Sequence, residues 1–288
     1  MTHLVFGASG MLGLQLVREL QTRGNQVEGA SRHGPDHLID VCVADETASI
    51  IRRTAPAVVW NAAAMVNIAL CERDNAAAYA VNARAVSVMV QACKETGSRL
   101  VQVSTDHYYV GQEAMRHDEQ AEVHLVNEYA RTKFAGESFA LTHRDALIIR
   151  TNITGFRGVA SQPTFAEWAF DVVFGDRQIT LFHDMHVSTL DTSNFCKAAC
   201  DLQQSGATGI LNVASREVFT KKVFIETLAK RLGRTLSQAK VGSVSGLEPP
   251  RADSLGLDVH RAEAILGYRL PGLMEVVDSL IAEFKGSK

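Results

Sequence analysis

The chain opens with a strand-like apolar run that leads through closely spaced glycines into a helical pattern. Leu4-Val5-Phe6 precedes Gly7-Ala8-Ser9-Gly10-Met11-Leu12-Gly13, and helical spacing of apolar residues follows from Leu14 to Arg23. Glycine lets the backbone turn tightly and approach a pyrophosphate, while a helix start presents free N–H groups and positive dipole to an anion. The segment therefore predicts a dinucleotide-binding turn, although its spacing is GxxGxxG and not GxGxxG.

Strand-like and helical runs continue to alternate through the first half of the chain. Strands are expected at 4–6, 26–30, 57–61, 100–104 and 146–150, and helices at 14–23, 47–54, 75–96 and 129–142. This rhythm predicts a parallel sheet with helices on both faces, and ligands bind such sheets at the carboxyl ends of the strands. Polar or small residues stand at those ends, namely Gly7, Ser31-Arg32, Asn61-Ala62-Ala63-Ala64, Ser104-Thr105-Asp106 and Thr151-Asn152.

The alternation loosens after Asn152, where glycines, Pro163 and the segment His183 to Ser188 interrupt it. Helices are expected at 193–204, 221–232 and 273–284, with a strand at 210–213 and a loop at 242–256. We predict an α/β fold, a Rossmann-type doubly wound parallel sheet with a smaller C-terminal substrate-binding lobe. The dinucleotide-binding domain would comprise 1–152, with 191–215 returning to it, and the lobe would comprise 153–190 and 216–288.

The composition argues against several kinds of partner. The 288 residues carry a formal net charge of -3 with scattered Lys and Arg, whereas nucleic-acid binding needs clustered positive charge. No apolar run approaches the roughly 20 residues that span a bilayer, and the first residues lack the pattern of a signal segment. We expect no nucleic-acid or membrane partner and a cytoplasmic location.

Metal chemistry is not expected either. The cysteines at 42, 71, 93, 196 and 200 are odd in number and form no CxxC pair, and the ten histidines form no HxxxH-type set. The thiols are therefore predicted to be reduced and structural.

Tyr129 and Lys133 lie four residues apart, downstream of the strand that ends in Ser104-Thr105. At this spacing the phenol and the ammonium share one helix face. A phenol ordinarily loses its proton near pH 10, and a nearby cation favours phenolate, which suits acid/base work at neutral pH. The pair is therefore a candidate catalytic unit.

The end of the second strand indicates the choice of cofactor. Enzymes that use NAD commonly place Asp or Glu there to bind the ribose 2′-hydroxyl, whereas this chain has Ser31-Arg32. A guanidinium binds a 2′-phosphate in bidentate fashion and the Ser31 hydroxyl can add a bond, so NADPH is favoured over NADH. The alternative, that Arg32 is only a solvated loop residue, stays open.

Together these residues resemble the extended short-chain dehydrogenases/reductases, and within them the dTDP-4-dehydrorhamnose reductase-like group of nucleotide-sugar reductases. The resemblance spans nearly the whole chain. It is carried by the segments 6–13, 59–64, 71–72, 81–83, 103–106 and 129–137, with weaker matches at 150–151, 209–215, 250–251 and 257–258.

The resemblance implies the reduction of a 4-keto-6-deoxy nucleotide sugar by NADPH. Tyr129 would donate the proton, Lys133 would hold the nicotinamide ribose and acidify the phenol, and Thr105 would bind the carbonyl. The implied cofactor-binding residues are Gly7, Ser9, Gly10, Met11, Leu12, Gly13, Ser31, Arg32, Asp40, Asn61, Ala62, Ala63, Ala64, Asn82, Ser104, Tyr129, Lys133 and Thr151. The implied substrate-binding residues are Asp106, His107, Asn152, Trp168, His186 and Arg251.

The resemblance also implies what Asn82 and an acidic residue after the second strand would do. Asn82 belongs to the Val-Asn pair of the family, where the asparagine steadies the helix that carries the neighbours of the tyrosine. Asp40 or Asp45 would open the loop that brackets adenine, and the sequence does not choose between them.

The chain departs from the family around the sugar pocket, which leaves the identity of the sugar and nucleotide open. The family's proline and glycine before the tyrosine are replaced by His124-Leu125-Val126-Asn127-Glu128, and His107-Tyr108-Tyr109 and His186-Val187-Ser188-Thr189 also differ. Dehydration is disfavoured because His107 stands where dehydratases place glutamate. A nucleotide-sugar epimerase with bound NAD and a non-catalytic NADP-binding regulatory subunit remain alternatives. A homodimer through the helices at 75–96 and 129–142 is compatible with the superfamily.

Overall fold

The computed structural model describes residues 1–34, 36–111, 114–245 and 248–286, and every structural statement below concerns these ranges. They form two compact units. The first comprises Met1–Thr105, Leu125–Arg150 and Ala199–Leu211, and the second comprises Asp106–His124, Thr151–Ala198 and the chain from Asn212 onward. Compactness does not show what each unit binds, so the division into a dinucleotide domain and a substrate lobe stays a prediction.

The strands are β1 Thr2–Phe6, β2 Gln26–Ser31, β3 His37–Leu38, β4 Val58–Asn61, β5 Arg99–Val103, β6 Leu147–Arg150, β7 Ile153–Thr154, β8 Ile179–Phe182, β9 His186–Val187, β10 Leu190–Asp191, β11 Gly209–Asn212, β12 Phe219–Thr220, β13 Ala239–Gly242 and β14 Ser254–Leu255. The helices are α1 Met11–Thr22, α2 Ala44–Thr54, α3 Ile68–Arg73, α4 Asn75–Tyr79, α5 Ala85–Thr96, α6 Glu128–Ala140, α7 Phe165–Gly175, α8 Thr192–Gln204, α9 Lys221–Arg231, α10 His260–Leu266 and α11 Leu273–Gly286, with a π-helical segment at Ala80–Arg84.

Seven strands form the sheet of the first unit, in the order β11-β6-β5-β4-β1-β2-β3. The pairs from β6 to β3 are parallel. The order reverses at β1, which pairs with β2 on one side and β4 on the other, as in doubly wound folds. The predicted Rossmann-type α/β fold is therefore confirmed.

Burial explains why the strand sequences are apolar without alternation. All residues of β4 and β6 are buried, as expected for parallel strands covered on both faces. One large cluster joins strand residues such as Leu4, Val59 and Leu100 to helix residues such as Ile51 and Met89. The carboxyl ends of the strands are thus held by a closely packed core.

The predicted helix at 75–96 is interrupted. Its first turns form α4, the chain then passes through the π-helical segment, and only Ala85–Thr96 is regular α-helix. The apolar pattern does not show this interruption, because one inserted residue shifts a helix face without changing the residue types that fill it.

Small strands and two helices of the second unit were not predicted. Its strands form three small sheets, β10-β7, β12-β9-β14 and β13-β8. Helix α7 begins with a capping box in which the Thr164 side chain accepts from the Glu167 N–H and the Glu167 carboxylate accepts from the Thr164 N–H. The Thr-x-x-Glu spacing is visible in the sequence and could have predicted the start of α7. The predicted loop 242–256 contains β14 and includes two positions, 246 and 247, outside the described residues.

In the described part of the chain, no helix combines the length and the apolar character needed to cross a membrane.

Candidate active site

The segment that leads from β1 into α1 is packed so closely that two of its glycines have no room for a side chain. Gly7 has φ +79°, and a Cβ there would lie 2.7 Å from the backbone nitrogen of Ala63. A Cβ on Gly13 would lie 2.1 Å from the Gly7 carbonyl oxygen. Gly10 is the N-cap of α1 and no side chain caps the helix, which leaves its first N–H groups for an anion such as a cofactor phosphate.

Asn61 fixes the second loop of this crevice. Its side-chain amide donates to Gln102 Oε1 at 2.8 Å, and its Oδ1 accepts from the Ala63 N–H at 3.1 Å. The bonds hold the 61–64 turn against Gly7, so the predicted residues Ala62, Ala63 and Ala64 present backbone here rather than side-chain chemistry.

The loop after β2 carries Arg32 as an exposed residue, and the buried Ser31 hydroxyl donates to the His33 carbonyl at 2.7 Å. Asp36, which sequence reasoning did not single out, accepts from the Gly29 N–H at 2.7 Å. Within the described ranges, no hydrogen bond or ion pair occupies the Arg32 guanidinium, which leaves it available to a ligand.

Asp40 organises the turn before α2. Its Oδ1 accepts from the Cys42 N–H at 2.9 Å and its carbonyl accepts from the Val43 N–H at 2.9 Å, while Arg84 donates to the Cys42 carbonyl at 2.6 Å. Asp45 instead lies in the exposed first turn of α2. Of the two carboxylates left open by the sequence, Asp40 is the one that shapes the loop.

Helix α6 positions the tyrosine and the lysine. Asn127 caps it by accepting from the Ala130 N–H at 2.9 Å, so Tyr129 lies in the first turn and Lys133 in the next. Both are buried, with Tyr129 packed beside Ile68 and Cys71. The predicted helix face is therefore an internal face of the first unit.

The ammonium of Lys133 reaches the carboxyl end of β5. Its Nζ donates to the Val103 carbonyl at 2.7 Å, and Thr105 follows that residue by two positions. Among the residues that the structure describes, this is the only hydrogen bond of Lys133, so two of its N–H groups remain for a ligand. Burial lowers the pKa of Lys133 to about 8, against the opposing effect of the Glu137 carboxylate.

The π-helical segment is joined to α6 through Asn82. This buried side chain donates to the Met65 carbonyl at 3.0 Å and to Thr132 Oγ1 at 3.1 Å, and accepts from the Met65 N–H at 2.9 Å. A Cβ on Gly136 would lie 2.2 Å from the Asn82 carbonyl oxygen, so the two backbones nearly touch. Single π-helical turns often occur at functional sites. The bond to Thr132 joins this segment to the helix that carries Tyr129, and the supporting role that the resemblance implies for Asn82 stays a prediction.

In the second unit, a chain of hydrogen bonds fixes Asp106. The Asn152 amide donates to Asp106 Oδ2 at 2.7 Å, and Thr189 Oγ1 donates to Asn152 Oδ1 at 2.7 Å. The His107 Nε2 lies 3.9 Å from Asp106 Oδ1, and its pKa is lowered to about 4 by burial and by the charges of Lys221 and Arg251. His107 is therefore neutral at pH 7.

The remaining predicted side chains are more scattered. Trp168 is 38% exposed on α7, with its ring 5.7 Å from that of Phe165. His186 lies in the middle strand of the β12-β9-β14 sheet and donates its N–H to the Asp253 carbonyl at 3.0 Å. Ser104 donates its N–H to the Ile149 carbonyl at 2.7 Å. The Thr151 hydroxyl is buried with no hydrogen-bond partner in the described ranges.

In those same ranges, no group of three His, Cys, Asp or Glu side chains is placed to hold a metal ion.

A doubly wound sheet, a closely packed glycine turn and a buried tyrosine–lysine helix face define an NAD(P)-dependent oxidoreductase of the short-chain dehydrogenase/reductase class. The family described as RmlD substrate binding domain matches residues 1–284, and the chain belongs to this family. The predicted family and enzyme class are confirmed.

The individual proteins to which the chain is similar include several reductases. The chain is 27% identical to the probable low-salt glycan biosynthesis reductase Agl14 of Haloferax volcanii, over 99% of this chain and 98% of the relative. It is 36% identical to the dTDP-4-dehydrorhamnose reductase of Burkholderia thailandensis, over 52% of this chain and 49% of that protein. The chain thus spans about half the length of several curated dTDP-4-dehydrorhamnose reductases that it matches.

Solved structures share the fold over nearly the whole chain. The dTDP-4-dehydrorhamnose reductase of Bacillus anthracis in complex with NADP superposes with a TM-score of 0.89 at 20% identity, covering 98% of this chain and 99% of that one. A hypothetical dTDP-4-dehydrorhamnose reductase of Sulfolobus tokodaii gives 0.85 at 28% identity, covering 94% and 97%.

Proposed function

We propose that this protein reduces the keto carbon of a 4-keto-6-deoxy nucleotide sugar with NADPH, and that Tyr129 donates the proton. The observation that carries the proposal is the position of Lys133, a buried cation one helical turn from Tyr129 and bonded to Val103, two residues before Thr105. Relatives whose names include dTDP-4-dehydrorhamnose reductase support the substrate class, and a fold neighbour in complex with NADP supports the cofactor.

The residues at the end of β5 fit a hydride-transfer site. Bound NADPH would supply the hydride. Negative charge then grows on the carbonyl oxygen, and the Thr105 and Tyr129 hydroxyls are the donors we assign to that oxygen. Each such donor contributes about 2.7 to 4 kcal/mol to the transition state in comparable sites. As Tyr129 gives up its proton, the Lys133 ammonium stabilises the phenolate electrostatically.

The cofactor assignment includes a specific contact. Arg32 is exposed immediately after β2 with no bond to a described residue, which suits a 2′-phosphate. The glycine turn would hold the pyrophosphate. Because Gly7 and Gly13 have no Cβ, the backbone there can pack closely and approach the pyrophosphate. Asp106, His107, Asn152, Trp168, His186 and Arg251 remain the proposed substrate-binding residues.

The test is a screen of purified protein with 4-keto-6-deoxy sugars linked to dTDP, GDP, UDP or CDP, read as the loss of NADPH absorbance. We expect turnover with at least one of these sugars and a lower Michaelis constant for NADPH than for NADH. If no keto sugar in the screen causes oxidation of NADPH, the proposed reaction is wrong. If the Michaelis constant is lower for NADH than for NADPH, the proposed cofactor is wrong.

A further inference from the structure

Lys221, the first residue of α9, is a cation without a counterion in the second unit. Its Nζ lies 3.8 Å from the centre of the Phe165 ring. No hydrogen bond or ion pair to any described residue engages this ammonium. The adjacent Lys222 is different, because its Nζ lies 2.9 Å from Glu226 Oε1 in a surface ion pair.

The surroundings of Lys221 leave it charged but partly desolvated. The side chain is half-buried, and burial lowers its pKa to about 8 while the charge of Asp106 opposes that shift. The Oδ2 of Asp106 accepts from the Asn152 amide at 2.7 Å. Keeping a cation in such a place without a carboxylate costs free energy, which is typical of a functional group.

A second cation lies in the same neighbourhood. Burial is the main cause of the low pKa of His107, and the charges of Lys221 and Arg251 lower this pKa further, so both cations act on the same imidazole. Arg251 also has no hydrogen bond or ion pair to a described residue. Arg251 is exposed, whereas Lys221 is half-buried. Two positive charges that act on one imidazole favour an anion with more than one charge, and lysine binds phosphate as a point charge.

The neighbouring aromatic surface adds a feature that suits a nucleotide. Phe165, under the Lys221 ammonium, is 5.7 Å from the ring of Trp168, which is 38% exposed. An exposed indole next to an anchored cation provides a stacking face beside a site for phosphate.

We propose that Lys221 binds the diphosphate of the nucleotide-sugar substrate, with Arg251 as the second cation. The inference rests on the proposed function, because the nucleotide sugar is what brings a diphosphate to this unit. It assigns a substrate contact to a residue that the sequence did not single out, since two adjacent lysines at a helix start ordinarily indicate a solvated surface.

The experiment measures equilibrium binding of dTDP and UDP by calorimetry, without cofactor or turnover. Lys221→Met should bind both nucleotides about tenfold or more weakly, because a charge-assisted contact is lost. Lys221→Arg should keep most of the affinity, since the charge is retained. Lys222→Met, which removes the neighbouring charge from the same helix turn, is the control and should bind like the wild-type protein.

The outcomes separate this inference from the proposed function. If Lys221→Met binds dTDP and UDP as tightly as the wild-type protein while the wild-type enzyme reduces a keto sugar, Lys221 is not the diphosphate contact and the function stands. If the loss appears with UDP-glucuronate but not with UDP, Lys221 binds a sugar carboxylate and the inference is wrong. If the wild-type protein binds none of dTDP, UDP, GDP and CDP in the same calorimetric measurement, both the inference and the proposed function fail.

Discussion

At the residue scale, Lys133 is held in a place that suits chemistry better than stability. It is 4% exposed, and its pKa falls from an ordinary value near 10.5 to about 8 because burial penalises the ammonium. A fall of this size corresponds to about 3 kcal/mol against folding at neutral pH, as an order of magnitude. The buried charge is therefore evidence for function, since packing alone would favour an apolar side chain.

Lys133→Met should accordingly stabilise the cofactor-free protein while abolishing reduction. We expect a gain of about 3 kcal/mol at most in the free energy of unfolding at pH 7, measured by denaturant titration. The Val103 carbonyl still accepts from Gln102 Nε2 at 2.8 Å in this variant, so no buried acceptor is left unpaired.

The gain should depend on pH in a defined direction. Between about pH 8 and the ordinary lysine pKa, the unfolded chain binds more protons than the folded one, so wild-type stability rises with pH. The advantage of Lys133→Met must then shrink as pH increases from 8 to 10. An advantage that stays constant over this range would show that the buried amine is not the cause.

A substitution at Arg32 tests whether the protein prefers NADPH to NADH. Because its guanidinium is exposed and unengaged among described residues, Arg32→Gln should weaken binding of 2′,5′-ADP by about tenfold, as expected for a lost charged hydrogen bond. Binding of 5′-AMP should change little. Arg53, an exposed arginine at the end of α2, provides the control as Arg53→Gln. If Arg32→Gln loses the same affinity for 5′-AMP as for 2′,5′-ADP, Arg32 does not bind the 2′-phosphate.

At the element scale, α6 and the π-helical segment act as one support for the tyrosine. The Asn82 amide ties the segment to Thr132, and Gly136 allows the two backbones to approach. Gly136→Ala would place a methyl group 2.2 Å from the Asn82 carbonyl oxygen, so the helices must separate.

We expect Gly136→Ala to lower stability by about 1 to 3 kcal/mol, the usual cost of overpacking, and to lower kcat by displacing Tyr129. Ser138→Ala, on the exposed side of the same helix, should change neither quantity. Chemical denaturation and steady-state kinetics measure both effects. Wild-type stability for Gly136→Ala would contradict the close approach.

The sequence predicted those elements whose local pattern coincides with their tertiary role. Gly7 stands where the backbone turns with a positive φ, and Gly13 stands where α1 approaches the Gly7 carbonyl. The Tyr129–Lys133 spacing places both side chains on a buried helix face. The π-helical segment has no such pattern, because its cause is contact with α6. Lys221 was missed because its desolvation depends on Phe165, which is distant in sequence.

At the scale of the whole molecule, the first unit leaves apolar side chains exposed at the end of α4, at the end of α6 and just after α6. Tyr79 is 49% exposed, Phe139 37% and Leu141 51%. We predict a homodimer through this surface, which light scattering would show as twice the mass of the chain. Leu141→Glu should give a monomer. If the wild-type protein has the mass of one chain, the prediction is wrong.

Topology was predictable from sequence over most of the first unit and much less in the second. Alternating strands and helices define a doubly wound sheet, since parallel strands require helical crossovers. The second unit is built from strands of two to four residues, which are too short to show a period of two. The positions of Asp106, Asn152 and Thr189 follow from that irregular packing and needed the structure.

In the proposed NADPH-dependent reduction Tyr129 donates the proton, and Tyr129→Phe removes the hydroxyl that would do so. The variant should still bind NADPH, measured by fluorescence titration, while kcat with a 4-keto-6-deoxy nucleotide sugar falls by about a hundredfold or more. Near-normal turnover by Tyr129→Phe, with the wild-type enzyme active under the same conditions, would show that Tyr129 is not the proton donor.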